Sequence, residues 1–305
     1  MQVHDAHCHL FSRRFFETLA AQDPQRRFEE SPVERICATL GWEAPGDPAA
    51  LAARWVAELD RQQVGRAALI ASVPGDEESV AAAVAHAPDR FVGYFMLDPL
   101  AGDAVARVER ALGPLGLRGV CLFPAMQRYP LQDARVLAVV ERVAATPGAV
   151  LFVHCGVLTV GVRRRLGLPS RFDIRFGNPL DLHAIALAHP ELPIVVPHFG
   201  AGMFREALML ADLCPNVHLD TSSSNGWIRY HPGLTLADVF RQALLVAGPQ
   251  RLLFGTDSSF FPRGWNREVW DAQFRALREL SVPEPDIRAI AGGNFERLFR
   301  APAAG

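Results

Sequence analysis

The sequence predicts a parallel (β/α)8 barrel, the TIM-barrel architecture of the α/β class. Eight short apolar runs are typical of strands, and amphipathic stretches with a helical period separate them. In addition, histidine or aspartate motifs follow the first, fifth, sixth and eighth runs. Side chains at the ends of the first and the eighth strand can reach one site only if the sheet closes. A doubly wound open sheet is the alternative, and it would hold these strand ends apart.

The predicted elements alternate regularly along the chain. Residues 150–153 (Val-Leu-Phe-Val) form the uninterrupted apolar run that is typical of a fully buried parallel strand. The predicted strands are residues 3–7, 67–73, 91–97, 119–123, 150–154, 193–197, 217–221 and 252–256. The predicted helices are residues 47–63, 78–87, 101–112, 133–145, 180–189, 204–213 and 236–246.

Two long connections are predicted on the carboxyl-terminal face of the barrel. Residues 10–47 follow the first strand, and residues 156–179 follow the fifth. Barrel enzymes build their substrate pockets from such loops. The tail, residues 301–305, is expected to be loosely ordered.

Length and composition agree with one large domain, residues 1–305. Half of the residues (50%) are hydrophobic, which is enough for a large core, and barrels of this length form one unit. The net charge of -2 gives no reason to expect nucleic acid or an anionic membrane surface as a partner. No apolar run approaches the ~20 residues of a membrane span.

The numbers of cysteines and lysines restrict the covalent and metal chemistry that the chain can support. The five cysteines are scattered and odd in number, which favours reduced thiols in a cytoplasmic protein over a disulfide framework. The first polar motif begins at Asp5, so we expect no signal peptide ahead of it. All 31 basic residues are arginine. The chain therefore cannot form a Schiff base or a carbamylated-lysine metal bridge.

A His-x-His pair ends the first predicted strand. Successive side chains of a strand alternate between its faces, so His7 and His9 point the same way and Cys8 points opposite, into the surrounding core. Two imidazole nitrogens at this spacing can bind one cation from inside the barrel.

Three further residues stand where an apolar run ends. His154 and His198 follow buried strands, where a histidine needs a partner and a metal provides one. Asp257 follows the eighth strand and is favoured as the metal carboxylate, because it closes the barrel beside the first strand. Its rival is Asp220, after the seventh strand. We expect Asp220 and the serine run of residues 222–224 to order hydrogen bonds around the ligands instead.

This set of motifs resembles the amidohydrolase superfamily. The likeness covers nearly the whole chain and is strongest to the amidohydrolase-2 group of barrels related to aminocarboxymuconate-semialdehyde decarboxylase. Further motifs that carry it are Asn178-Pro179-Leu180, Phe254-Gly255-Thr256-Asp257-Ser258 and Gly293-Asn294-Phe295-Glu296-Arg297-Leu298-Phe299. The resemblance implies a distorted barrel with His198 as the catalytic histidine and with a metal held by His7, His9, His154 and Asp257.

The residues of the fourth predicted strand indicate how many metals the site holds. Binuclear members of the superfamily bridge two metals with a carbamylated lysine or a glutamate from this strand, whereas residues 117–124 contain neither. We therefore expect one metal per chain. Zn2+ is the favoured metal, and another divalent metal such as Mn2+ is the alternative. Cys121 on this strand is expected to be a buried structural thiol and not a ligand.

Arginines in two loops are candidates for binding a substrate carboxylate. Arg164 lies in the basic run of residues 163–165, and Arg171 follows in the same connection. Arg263 lies between aromatic residues just after Asp257, and the nearby Trp265 is a further candidate for substrate contact. A solvated basic loop is the alternative for these arginines.

The predicted function is hydrolysis of a C–N or C–O bond in a small molecule. The metal would activate a water, Asp257 would accept its proton, and His198 would polarise the substrate carbonyl. Non-oxidative decarboxylation of an aromatic or unsaturated carboxylic acid is the alternative reaction, and a non-catalytic barrel that binds a small molecule is a further one. A homodimer is left open.

Overall fold

A computed structural model of the protein describes residues 1–300, and the predicted loose tail lies outside them. One sheet of eight parallel strands runs in the order β1 to β8. The strands are β1 Val3–Leu10, β2 Val64–Ala71, β3 Phe91–Met96, β4 Gly119–Leu122, β5 Val150–Val153, β6 Ile194–Val196, β7 Val217–Asp220 and β8 Leu252–Leu253. The prediction of a (β/α)8 barrel is confirmed.

Helices connect the strands. They are α1 Arg13–Ala21, α2 Pro32–Leu40, α3 Pro48–Gln62, α4 Glu77–His86, α5 Ala104–Leu112, α6 Pro124–Gln127, α7 Ala134–Ala144, α8 Gly161–Arg165, α9 His183–Ala188, α10 Phe204–Leu213, α11 Leu236–Val246, α12 Arg267–Glu279, α13 Glu284–Arg288 and α14 Asn294–Leu298. Among residues 1–300, no helix combines the length and the hydrophobicity needed to cross a membrane.

The barrel closes where β1 meets the chain that follows β8. The Ala6 amide donates to the Phe254 carbonyl at 2.8 Å, and the His9 amide donates to the Ser258 carbonyl at 2.7 Å. In the opposite direction, the Asp257 amide donates to the His7 carbonyl at 2.9 Å. The closing seam therefore carries the first and the last of the predicted ligands.

Strand β8 is shorter than the five residues predicted for it. Side chains take over part of the hydrogen bonding that a regular strand would satisfy: Asn294 donates to the Leu252 carbonyl at 2.7 Å, and Gln273 donates to the Gly255 carbonyl at 3.3 Å. The chain beyond Leu253 is thereby released from the regular ladder, which lets it turn over the barrel mouth.

Two core layers lie on the two sides of the sheet. Cys8 and Leu10 belong to the outer layer between strands and helices, whereas Ala6, Phe152 and Cys121 belong to the barrel interior. The pairing of β1 with β2 shifts between Asp5 and Cys8, and this irregularity accommodates the inward-facing Ala6 directly before the inward-facing histidines.

The long connections after β1 and β5 are not simple loops. The first contains α1 and α2, and the second contains α8. A separate apolar cluster joins them, in which Phe15 and Ile36 of the first connection pack with Val162 and Leu166 of the second. These connections therefore form one wall above the carboxyl ends of the strands.

Candidate active site

The barrel mouth brings His7, His9 and Asp257 together. Their ligand atoms lie within 4.8 Å of one another, the one such cluster of histidine, cysteine and acidic side chains found in residues 1–300. His7 Nε2 is 3.3 Å from His9 Nε2, and Asp257 Oδ1 is 3.1 Å from His9 Nε2 and 3.8 Å from His7 Nε2. Closure of the sheet thus places the ends of β1 and β8 side by side.

Hydrogen bonds on the far side of each ring orient the two histidines. His7 Nδ1 donates to Asp220 Oδ2 at 2.6 Å, because a carboxylate can only accept. The Ser72 hydroxyl donates to the Ile70 carbonyl, so it accepts from His9 Nδ1 at 2.8 Å. Both Nε2 atoms are then left with free lone pairs that face each other.

This donor set fits a divalent transition metal. Two imidazole lone pairs 3.3 Å apart repel unless a cation lies near both, and a carboxylate oxygen completes the group. The carboxylate–histidine pair of Asp220 and His7 is the arrangement that commonly supports a histidine ligand.

His154 and His198 lie beside this cluster, His154 directly after β5 and His198 shortly after β6. The His154 ring is 5.3 Å from the His198 ring, and the His198 ring is 5.0 Å from the His7 ring, centroid to centroid. His154 lies outside the group of three ligand atoms. However, its buried Nδ1 has no hydrogen-bond partner among residues 1–300, as expected for a nitrogen that binds a metal.

The electrostatics keep the two later histidines neutral and Asp257 charged. Burial lowers the pKa of His154 and of His198, and the neighbouring histidines lower both further. Burial opposes the charge on Asp257, but its hydrogen bond and charge interaction with His9, together with His7, hold the pKa of this carboxyl far below its usual value. Neutral imidazoles and an ionised carboxylate are the forms that bind a metal.

The backbone is strained at His198 and at Asp257. His198 has a φ of 55° and Asp257 a φ of 60°, in the left-handed region that residues with a Cβ rarely occupy. His198 is further held through Nδ1, which lies 2.9 Å from the Ser222 hydroxyl and 3.2 Å from the Ser222 carbonyl oxygen. Such strain clusters at functional sites, where the surrounding structure must hold the side chain in place.

Gly255 leaves room for the contact between β1 and β7. A Cβ at this position would lie 2.9 Å from the Cβ atoms of His7 and Ser222 and 3.1 Å from Asp220 Oδ1. Only glycine lets the backbone approach the His7–Asp220 pair so closely.

A cavity of about 580 Å³ opens above the cluster and includes His7, His9, His154, His198 and Asp257 in its lining. Its walls are strongly aromatic, with contributions from Phe11, Phe15, Trp42, Phe123, Trp227, Tyr230 and Phe260. The ring pairs Phe11–Phe15 and Trp42–Phe260 are each stacked at 3.9 Å. The cavity is therefore shaped by flat faces, which suit a planar ligand.

The predicted substrate arginines are placed differently from one another. Arg263 and Arg164 both line the cavity. The Arg263 guanidinium lies over the Phe260 ring at 4.5 Å and donates to the Asp257 carbonyl at 3.3 Å. Arg163 instead binds Gln22 and the Pro169 carbonyl, and Arg171 is exposed and does not line the cavity.

The expected substrate contact of Trp265 is wrong. Its side chain is 3% exposed, does not line the cavity, and donates through Nε1 to Asp5 Oδ2 at 2.7 Å. Gly264 between them has a left-handed φ of 66°, and Arg263 lines the cavity whereas Trp265 binds Asp5. Nearness to Asp257 in the sequence does not carry Trp265 into the cavity.

Two residues that support the site, Ser72 and Asp5, had no role predicted from the sequence. Ser72 orients His9, and Asp5 lies behind the seam. Ser222, from the serine run expected to order hydrogen bonds, contacts both His7 and His198. Asp5 stands in the first motif and offered a signal, since an acidic residue inside an apolar strand needs buried partners. Ser72 offered none, because its partner His9 is far away in the chain.

Residues 4–301 match the sequence model of the amidohydrolase-2 family, described as amidohydrolase. The chain belongs to this family. The earlier resemblance is thereby confirmed. A 156-residue segment of this amidohydrolase is also 32% identical to Protein fluG of Emericella nidulans, and it covers 49% of this chain and 16% of that protein. The chain thus spans only a small part of that curated relative.

Solved structures of other barrels cover nearly the whole amidohydrolase chain. A 5-carboxyvanillate decarboxylase from Novosphingobium aromaticivorans, complexed with manganese and a nitrobenzoic acid, has a TM-score of 0.67 at 15% identity and covers 98% of this chain and 96% of its own. A probable 2-pyrone-4,6-dicarboxylic acid hydrolase from Acinetobacter baumannii has a TM-score of 0.63 at 15% identity, with coverage of 98% and 99%. An amidohydrolase from Burkholderia multivorans with bound zinc has a TM-score of 0.62 at 21% identity, with coverage of 99% and 100%.

Proposed function

We propose that this amidohydrolase is a mononuclear metal-dependent hydrolase that cleaves a C–O or C–N bond of a small planar molecule bearing a carboxylate. The observation that carries the proposal is the pair of free Nε2 atoms of His7 and His9, 3.3 Å apart beside Asp257, at the floor of an aromatic cavity. The metal would be held by His7, His9, His154 and Asp257. Zn2+ is the favoured metal, and Mn2+ is the alternative. When bound, the metal supplies a Lewis acid that polarises oxygen and lowers the pKa of water.

Asp257 is the group placed to move the proton. Its side chain lies at the cavity floor next to His9, and its ionised state makes it an acceptor. In the proposed reaction it takes the proton of the attacking water and returns it to the leaving oxygen or nitrogen, so that no net proton is consumed by the enzyme.

His198 is the group placed against the substrate. Ser222 holds its Nδ1, and the ring lines the cavity between His7 and His154. Through its other nitrogen it would orient the carbonyl and stabilise the charge that develops on its oxygen.

The walls indicate the substrate class. Stacked aromatic pairs favour a flat ring, while Arg263 and Arg164 provide positive charge at the cavity rim for a carboxylate. The structural relatives named for 5-carboxyvanillate and 2-pyrone-4,6-dicarboxylic acid, both carboxylated rings, support the same class.

Non-oxidative decarboxylation is the second candidate, favoured by the fold shared with the 5-carboxyvanillate decarboxylase. In that reaction the bond between the ring carbon and the carboxylate breaks, carbon dioxide leaves, and Asp257 or His198 delivers to the ring carbon a proton that it has taken up from solvent water. The same residues serve both reactions, so the products must distinguish them.

The experiment measures both products on one metal-reconstituted preparation. Pyrone carboxylates and other lactones, esters and amides are assayed for acid release, and hydroxybenzoates for carbon dioxide release. We expect turnover of a carboxylated lactone or amide without carbon dioxide, and its loss in Asp257→Asn prepared in parallel. Carbon dioxide release with no hydrolysis would replace the first candidate by the second. Metal loading without any turnover on both panels would contradict both.

A further inference from the structure

A buried carboxylate, Asp5, spans the seam of the barrel behind the proposed metal ligands. It is fully buried and lies on β1 two residues before His7. Oδ1 accepts the backbone N–H of His7 at 2.9 Å and the backbone N–H of Thr256 at 3.1 Å. One oxygen atom therefore binds the backbone at His7 and the residue that directly precedes Asp257.

The second oxygen binds the side chains of the segment after β8. Oδ2 accepts from the Thr256 hydroxyl at 2.5 Å and from Trp265 Nε1 at 2.7 Å. Thr256 in turn accepts from the Ser258 hydroxyl at 2.6 Å. Each carboxylate oxygen thus accepts two hydrogen bonds, so the acceptor capacity of Asp5 is well used.

These bonds hold the two places where the barrel is irregular. The pairing of β1 shifts just after Asp5, β8 ends at Leu253, and Asp257 has the left-handed φ of 60°. Three backbone hydrogen bonds cross the seam here, but the regular strand β8 has already ended at Leu253. The distance between the histidine ligands and Asp257 therefore also depends on side-chain contacts across the seam. Asp5 makes three of them with one side chain, two with Thr256 and one with Trp265.

We infer that Asp5 is the positioning residue that sets the spacing between His7 and Asp257, and that Trp265 and Thr256 act through it. The inference rests on the proposed function, since it assigns His7 and Asp257 to the same metal. Asp5 does not line the cavity, and it contacts the ligand residue His7 only through the backbone amide. Its effect is therefore expected in the affinity and geometry of the metal site before the chemistry itself.

The arrangement makes Asp5→Asn an informative variant. An amide NH2 in place of either oxygen must face hydrogen-bond donors. The Thr256 hydroxyl can rotate and accept, whereas Trp265 Nε1 and the two backbone amides cannot. The amide would then best replace Oδ2 and meet Trp265 Nε1 donor to donor. Trp265→Phe removes that donor, so the double variant should recover part of the loss caused by Asp5→Asn.

The test loads the purified chain with Co2+ and records its visible absorption, and it measures Zn2+ affinity by competition with a chromophoric chelator. We expect Asp5→Asn to weaken Zn2+ binding by roughly 10- to 100-fold and to change the Co2+ spectrum. Asp5→Asn combined with Trp265→Phe should bind Zn2+ more tightly than Asp5→Asn alone.

The matched control is Asp23→Asn. Asp23 is also a buried carboxylate that accepts two backbone amides, from Gln25 and Arg27, but it does not line the cavity. Its loss should lower the melting temperature with the Co2+ spectrum unchanged. If Asp5→Asn behaves like this control, the positioning role is overturned and Asp5 is structural only.

Two further outcomes separate the positioning role from the proposed function. If Asp5→Asn fails to fold, Thr256→Val and Trp265→Phe carry the test, and wild-type Zn2+ affinity and Co2+ spectra in both would overturn the inference. If the unsubstituted chain binds neither Zn2+ nor Co2+, the proposed function fails first, and the inference about Asp5 fails with it.

Discussion

Asp220 and His7 form a buried pair across the barrel mouth, with Asp220 Oδ2 2.6 Å from His7 Nδ1. Burial opposes a charge on His7, but the Asp220 carboxylate outweighs this effect and raises the pKa of His7. Burial likewise opposes the charge on Asp220, and the His7 ring outweighs it and lowers the pKa of that carboxyl. The His7–Asp220 pair lies beside Gly255. Its hydrogen bond fixes which nitrogen of His7 faces His9.

Asp220→Asn should therefore weaken metal binding without removing a ligand. The two Asp220 oxygens accept from His7 Nδ1 and from the Ser222 amide, and an NH2 group cannot accept from either. We expect Zn2+ affinity to fall by roughly 10- to 100-fold, measured by chelator competition. Complete loss of the metal, with full activity retained in Asp257→Asn, would mean that the carboxylate ligand comes from β7 and not from the segment after β8.

Replacement of a histidine in β1 should remove the metal. His7→Ala and His9→Ala each delete an Nε2 atom of the three-residue cluster, and elemental analysis should fall from about one metal per chain toward none. Cys8→Ser is the matched control between them. Cys8 is fully buried in the outer core, and burial raises the pKa of its thiol, so its loss should cost stability and leave metal content unchanged. Two tightly bound metals per wild-type chain would contradict the mononuclear site.

Asp257→Asn and His198→Ala should separate metal binding from turnover. The Asp257 side chain combines a ligand position with the proton-accepting role, so we expect no measurable turnover in Asp257→Asn. His198 lines the cavity without belonging to the three-residue cluster, so His198→Ala should keep most of the metal. Its turnover should fall on the order of 100- to 10,000-fold, as for loss of one acid–base or electrostatic group. Kinetics and metal content measured on the same preparations decide this, and loss of the metal from His198→Ala would make His198 a ligand.

A histidine outside the site should make stability depend on pH. Burial lowers the pKa of His218 on β7 to about 4, helped by Arg297 and Arg251, and its Nδ1 has no hydrogen-bond partner among residues 1–300. Between pH 6.5 and about 4 the unfolded chain binds a proton that the folded chain does not, so the free energy of unfolding falls as the pH falls. The contribution is fully present above pH 6.5, and its loss is at most about 3 kcal/mol.

His218→Leu should flatten this part of the stability curve in urea titrations at several pH values. His86→Leu, a change at an exposed position of α4, serves as the matched control and should leave the curve as steep as in the wild type. Equal slopes in His218→Leu and wild type would show that folding does not lower the pKa of His218.

Local patterns in the sequence were enough to predict the barrel and the strand faces to which the ligand side chains point. The apolar runs define strands because alternation and burial act over a few residues, and His7, Cys8 and His9 take opposite faces for the same reason. The order of the motifs along eight strands was enough to bring Asp257 beside His9, since a closed parallel sheet leaves few other arrangements.

Only the tertiary structure decided which residues support those ligands. Asp5 binds Thr256 and Trp265 more than 250 positions away in the chain, and Ser72 and Ser222 reach their histidines from other strands. Trp265 turned from an expected substrate contact into a partner of Asp5 because the direction of a side chain in an irregular segment follows from its packing. Periodicity acts over a few residues, whereas the hydrogen bonds of Asp5 to Thr256 and Trp265 exist only once the barrel closes and brings these distant segments into contact.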